Sequence, residues 1–211
     1  MKFNLRSIIW LGFLGRVLVA ISTYSLDLGL KAGRDLNRWH LLAVNILEGK
    51  PDQFLDLDAW GTLYAYYLAF IYFLTTDSIL IANLSAILTW VFSAFVFISI
   101  MNMMNLSYRN KLIGLILFVF IPSSINGTSF GLRESYQLLA VNLSIWSSLI
   151  FYYHRDIRAL FLLVLVAYVV SLLHVAFVIF EIVLIGMLFV CTAAKSFSCL
   201  LYTSPSPRDR G

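Results

Sequence analysis

Long apolar runs separated by short polar breaks organise the whole chain. A helix that crosses a bilayer needs about 20 mostly apolar residues. The first such run extends from about Ser7 to Leu26, behind Lys2 and Arg6. It is too long, and its Arg16 too central, for a cleaved signal peptide, whose apolar core is about 7–15 residues. A polar stretch from Asp27 to Asp58 follows, then an aromatic-rich run from Trp60 to Thr75, a break at Thr76–Ser78, and a clear run from Ile79 to Met101. Polar Asn102–Lys111 leads into Leu112–Ile121, which Pro122 ends or kinks. Ser123–Arg133 reads as a loop, because Asn126-Gly127 and Gly131 are turn formers. A further run covers Ser135–Tyr153, and charged His154–Arg158 closes it. The last stretch, Ala159–Ala194, is too long for one helix, so two helices turning near Ser171–His174 are expected. Backbone amides in lipid must be paired within their own segment, and no period-two alternation points to a barrel. The pattern therefore predicts an all-α polytopic membrane protein with six or seven transmembrane helices and no internal repeat.

Composition narrows the function classes. Hydrophobic residues make up 61% of the 211 residues and charged ones 12%, against about 45–50% and about 25% in soluble chains. With a mean hydropathy of +0.87, this excludes a water-soluble enzyme, a disordered region and a nucleic-acid-binding domain. The bilayer is the implied partner. The net charge of +4, from 15 Lys and Arg against 11 Asp and Glu, then reports orientation rather than a nucleic-acid partner. Lys2 and Arg6 place the N-terminus inside and the Asp27–Asp58 loop outside, with Arg109, Lys111, Arg155, Arg158 and Lys195 expected inside. One conflict stands in the sequence: two full crossings between Trp60 and Met101 would put Arg109 outside. Either the Trp60–Thr75 run does not fully cross or the charge signal misleads.

The string from Cys199 to Asp209 resembles the translation of a transposase-type sequencing adapter. That resemblance implies a membrane domain over 1–198, incomplete at its C-terminal side, followed by a non-native tail over 199–211. Cys191 is then the only natural cysteine, which leaves no disulfide and no cysteine metal site.

Four features could carry chemistry. In the external loop, Leu36–Leu47 reads as an amphipathic helix with an apolar Trp39/Ala43/Ile46 row and polar Asn37, His40 and Glu48. Gly49 and Pro51 stop it, and Asp35 sits at its N-cap. Such a helix would lie flat in the interface with Trp39 at headgroup depth. Arg133 and Glu134 adjoin the start of a span, where the planar guanidinium suits phosphate oxygens. His174 is either a hydrogen-bonded turn residue or a base. Arg16 and Glu181 are ionisable groups at membrane depth, expected to pair with each other as structural glue.

Asp35, an aromatic at Trp39, then Ala43, Leu47 and Gly49, resemble the start of GT-C-type glycosyltransferases, membrane enzymes that use polyprenyl-phosphate-linked sugars. The likeness continues through Gly61, Tyr64, Tyr67 and Asn83, and Arg16 in the first span is also common there. Trp39 stands where the family more often has Tyr, and Asp58-Ala59-Trp60-Gly61 replaces a Pro-rich approach. The resemblance implies that Asp35 is the catalytic or metal-holding carboxylate; Trp39, His40, Arg133, Glu134 and His174 are the candidate substrate-binding residues. It implies a polyprenyl-phosphate sugar donor, a glycan acceptor, the outer face of a cytoplasmic (inner) membrane, and it allows a divalent cation, Mg or Mn. Two alternatives stay open. Leu-Arg-Glu opening a span is also similar to O-antigen or exopolysaccharide polymerases, in which Arg133 would grip a lipid diphosphate and His174 would serve as base. A non-enzymatic transporter or scaffold is the third, although no paired Gly/Pro-interrupted helices appear.

Overall fold

The computed structural model describes residues 4–25, 33–50, 59–173 and 176–203. Within them the chain is all-helical: α1 (Leu5–Ser25), α2 (Gly33–Leu47), α3 (Ala59–Leu74), α4 (Ile79–Met103), α5 (Tyr108–Phe120), α6 (Pro122–Ser129), α7 (Glu134–His154), α8 (Ile157–Leu173) and α9 (Ala176–Thr203). Among the described residues, three helical segments are long and apolar enough to cross a membrane: α1, α4 and the Ala176–Ala193 part of α9. Leu63–Leu74 and Ile157–Leu172 are shorter apolar helices. Serines set two of the starts. Ser78 accepts from the Leu80 amide ahead of α4, and Ser107 accepts from the Asn110 amide ahead of α5. The long C-terminal run breaks between Leu173 and Ala176, as its length requires, and α9 continues through Cys199 to Thr203.

The segment expected to be a loop from Ser123 to Arg133 is largely helical. Pro122 ends α5 and at the same time opens α6, where its fixed φ and missing amide cost nothing. The Thr128 hydroxyl donates back to the Ser124 carbonyl at 2.6 Å, and α6 runs straight through Asn126-Gly127. Only Gly131 turns the chain, at φ +61°.

Side-chain bonds fix how the helices run. Ser85–Tyr136 (2.9 Å), Ser93–Asn142 (2.8 Å) and Ser99–Trp146 (3.0 Å) pair α4 with α7 in steadily rising register, so the two are parallel. Ser144–Glu181 (2.6 Å) and Arg155 to the Thr192 carbonyl (3.3 Å) do the same for α7 and α9. Helix α1 runs the other way: Leu5, Ile8 and Ile9 pack with Met101, Leu106 and Leu115, while Arg16 reaches back to Trp90. One end of the bundle therefore gathers Arg6, Arg109, Lys111, Arg155 and Arg158. The other holds α2, the Gly131–Glu134 turn and the α8–α9 junction.

Helix α3 has its second turn and its C-terminal end near that second end. The Tyr64 hydroxyl donates to the Gly131 carbonyl, beside Asn83 at the start of α4, and α3 is tied to α4 by only Thr75–Ser78. The 16 residues of α3 span about 24 Å, short of a hydrocarbon core of about 30 Å.

The packing is inside-out relative to a soluble domain. Leu14, Leu18, Phe92, Phe161, Ile179 and Val190 are exposed, whereas Ser93, Asn142, Ser144, Ser147 and Ser148 are buried between helices. Small and hydroxylated residues at helix contacts let backbones approach and supply interhelical hydrogen bonds where apolar burial gives no advantage over lipid.

Arg16 and Glu181 do not pair. The Arg16 guanidinium is 1% exposed and lies 3.6 Å from the Trp90 ring centre. It donates to Thr128 Oγ1 (2.7 Å), Ser124 Oγ (3.1 Å), the Val119 carbonyl (3.0 Å) and its own Gly12 carbonyl (3.2 Å). The reason lies in Pro122. A proline break leaves carbonyls of the preceding turn without amide partners, and the guanidinium fills the Val119 one while holding α6 in place. Gly12 makes room for this clasp, since a Cβ there would stand 2.5 Å from Val119 Cγ1 and 2.9 Å from Trp90 Cη2. Glu181 instead accepts from Ser144, tying α9 to α7.

Candidate functional site

Helix α2 begins at Gly33, three residues before the expected start at Leu36, so Asp35 stands in its first turn rather than at its cap. Its carboxyl lies outside the described side chains; its backbone is one helical turn before Trp39. The apolar row expected to face lipid is used by the protein. Trp39, Leu42 and Ala43 are buried with Tyr64, Ala65 and Leu68 of α3 and Ala82 of α4, and Ile46 packs against them. Trp39 is 8% exposed, so its ring is committed to protein neighbours, meeting Tyr64 edge-on at 6.1 Å.

Arg133 joins this group from far along the chain, with its guanidinium carbon 5.7 Å from the Trp39 ring centre. The turn that delivers it is tightly specified. Gly131 has a positive φ, and a Cβ there would sit 2.7 Å from Asn83 Oδ1 and 3.0 Å from the Asn83 amide nitrogen. Only glycine fits both the conformation and the space. Below the turn, Tyr136 packs on Tyr64 (5.4 Å) and Tyr67 (4.9 Å) and exchanges a hydrogen bond with Ser85. Tyr136 went unmarked in the sequence, where only its place one turn after Arg133 could have pointed to it. Asn83 Oδ1, Ser129 Oγ and Ser135 Oγ are buried around this turn without hydrogen-bond partners in the structure.

His40 faces away from Arg133. Its Nδ1 lies 2.9 Å from the Tyr72 hydroxyl, at the far end of α3. Burial holds the imidazole below its ordinary value of 6.5, with Asp77 pulling in the opposite direction. A base with a lowered folded-state value binds its proton more readily when unfolded, so stability rises with pH across that window. The contribution of neutral His40 is therefore intact above about pH 6.5 and is lost as pH falls through the folded value. Thermal unfolding at pH 7.5 and pH 5 is expected to show a drop that shrinks in His40→Gln, which can accept from Tyr72 at both values. An equal drop in the two proteins would remove His40 as its source.

Glu134, the first residue of α7, lines a cleft of about 310 Å³ between α5, α6 and α7. His174 lies outside the described residues, and the helix ends that flank it, Leu173 and Ala176, belong to the Arg133 end of the bundle. The structure thus brings Trp39 and Arg133 into one group, sets His40 against Tyr72, puts Glu134 on the wall of the cleft, and keeps Asp35 one turn from Trp39. Among the described residues no three His, Cys, Asp or Glu side chains come together.

Comparison of the chain with protein-family models, with curated proteins and with solved structures finds no match.

Proposed function

We propose that the chain is a membrane glycosyltransferase that takes a sugar from a polyprenyl-phosphate-linked donor on the outer face of a cytoplasmic membrane. The observation that carries this reading is the meeting of Arg133 with Trp39, one helical turn from Asp35. Arg133 offers a planar fork that matches phosphate oxygens. Trp39, buried under it, positions that fork rather than stacking on a sugar. Asp35 takes the proton of the acceptor hydroxyl. The hydroxyl oxygen forms the new glycosidic bond as the sugar–phosphate C–O bond breaks, and polyprenyl phosphate leaves on Arg133. No step runs through a cation.

The basic end of the bundle supports the orientation. Arg6, Arg109, Lys111, Arg155 and Arg158 share it, as cytoplasmic loops of membrane proteins do. In this arrangement α1, α4, α5 with α6, α7, α8 and α9 cross, six times in all, and α3 returns to the face it left. That removes the charge conflict in the sequence. In a chain lacking Cys191 and Cys199, Asp77→Cys is expected to react with a membrane-impermeant maleimide in intact cells, and Arg109→Cys only after permeabilisation. Protection of Asp77→Cys would mean that α3 crosses and that the site end is divided between two faces.

The enzymatic test is Arg133→Ala. Losing charge-assisted bonds to phosphate is expected to lower single-sugar transfer about 10- to 100-fold, read as radiolabelled sugar moved from polyprenyl-phosphate donors into membrane glycans. Normal single-sugar addition with shortened polymer would favour the polymerase reading instead.

A further inference from the structure

Glu181 is a buried ionisable group that the proposed transfer reaction leaves unused. It is 3% exposed and lies in the Ala176–Ala193 part of α9, which is long and apolar enough to cross. Its depth follows from the register of α7 and α9. Glu181 meets Ser144, and eleven residues further along both helices Thr192 meets Arg155. That spacing is an advance of about 16 Å. With Arg155 at the basic edge, the carboxyl sits about midway through a hydrocarbon core of about 30 Å.

Only one of its two oxygens is occupied. Oε1 accepts from the Ser144 hydroxyl at 2.6 Å, whereas Oε2 is buried without a hydrogen-bond partner among the described residues. The neighbouring hydroxyls of α7 are spent on their own backbone. Ser147 donates to the Leu143 carbonyl (2.6 Å) and Ser148 to the Ser144 carbonyl (2.8 Å). Among the described residues no cation pairs with Glu181, since Arg16 is committed to α5 and α6. The helices packed against α9 are α7 and α8, and their titratable groups stand off. Glu134 and His154 are at the two ends of α7, each about 15 Å along the axis from Ser144. Tyr136 is bonded to Ser85 of α4, and Tyr152 and Tyr153 lie toward the basic end with Arg155 and Arg158. Tyr168 of α8 is 64% exposed. On α9 itself Cys191 is exposed and Lys195 lies further on; His174, before α9, is outside the described residues.

An ionised carboxylate at this depth with a single hydrogen bond costs far more than a neutral acid, whose one unmet group is a hydroxyl. Metal cations such as Ca²⁺ gather about six to eight oxygens, and a proton needs only one. We propose that Glu181 is a proton-binding site inside the membrane, a carboxylic acid at neutral pH with its proton on Oε2 and with Oε1 accepting from Ser144. The proton then belongs to the α7–α9 contact, because its loss leaves an anion beside one hydroxyl in hydrocarbon. The site is separate from the proposed transfer reaction, and its test does not read activity.

The experiment is infrared spectroscopy of the full chain in nanodiscs of ether lipids, which have no ester carbonyl to mask the signal. A protonated carboxyl and a carboxylate absorb at separate frequencies. Glu181→Gln keeps the shape of the neutral acid. At neutral pH the wild-type spectrum minus the Glu181→Gln spectrum is expected to contain a carboxylic-acid carbonyl band. Ser144→Ala is expected to keep that band and raise its frequency, since Oε1 loses its donor. Exchange of choline chloride for sodium chloride is expected to leave the band unchanged. Carboxylate bands in place of the acid band would overturn the proposal, because Glu181 would then be ionised and paired. Loss of the band in sodium would overturn it too, making the site one for an alkali cation. An unmoved band in folded Ser144→Ala would do the same for the assigned hydrogen bond.

Discussion

Asp35→Asn is expected to insert, fold and elute as the wild type does while losing sugar transfer. The amide keeps the size and hydrogen-bonding reach of the carboxylate but cannot take a proton from an acceptor hydroxyl. General-base catalysis contributes about 10²- to 10⁴-fold, so transfer should fall by that factor. The competing role for the residue is purely local. A carboxylate in the first turn of α2 favours the helix through the macrodipole by about 0.3–1 kcal/mol, which Asn gives up. That loss would move thermal stability by a small amount and would leave transfer per folded molecule untouched. Measuring both quantities in one preparation separates the two roles. Wild-type transfer by Asp35→Asn would end the glycosyltransferase reading, whatever happens at Arg133.

Arg16→Leu is expected to cause the largest loss of stability of any single change in the chain. Leucine fills much of the volume, yet it leaves the Val119 carbonyl, Ser124 and Thr128 without the donor they now share. A buried acceptor stripped of its partner costs about 1–3 kcal/mol in water-soluble proteins and less, about 0.6 kcal/mol per bond, inside membranes. Three such groups together with the lost stacking on Trp90 give roughly 3 kcal/mol. For a chain of this size that corresponds to about 6–12 °C in thermal midpoint, measurable in detergent through tryptophan fluorescence. Arg16→Lys should recover only part of it, because an ammonium cannot reach α1, α5 and α6 together as the planar fork does. A leucine variant as stable as the wild type would mean that the Pro122 break is closed by something other than Arg16.

How far the sequence could be read follows from where the signals are local. The helix before Ser78 and the one after it, the Pro122 stop and the split near Leu173 are local facts, set by run length, caps and a missing amide. Helix α6 was not readable. Asn126-Gly127 is a turn former in isolation, and what overrides it is the guanidinium of a residue on α1 that seals the broken end. The amphipathic row of α2 was readable as a stripe, but a stripe does not say whether lipid or α3 will cover it. Trp39 and Arg133 were both singled out as candidates, and nothing in the chain near either one announced that they meet.

The sequence by itself determined that this is an all-helical membrane chain, because backbone amides in lipid have no other partners and apolar runs of this length have no other home. It also determined which residues are chemically able to act: Asp35, Arg133, Glu134 and His40 stand out as polar groups flanking apolar runs. Only the tertiary structure decided which of them share a place. Parallel pairing of α4 with α7 and of α7 with α9 collects the basic residues at one end and sets Arg133 over Trp39 at the other. The same packing separates Arg16 from Glu181 and puts Glu134 on the wall of the cleft between α5, α6 and α7. The physical reason is that charge and polarity are properties of single residues, whereas pairing depends on register between helices. That register is set by small-residue contacts and by glycines such as Gly12 and Gly131, whose neighbours are distant in the chain.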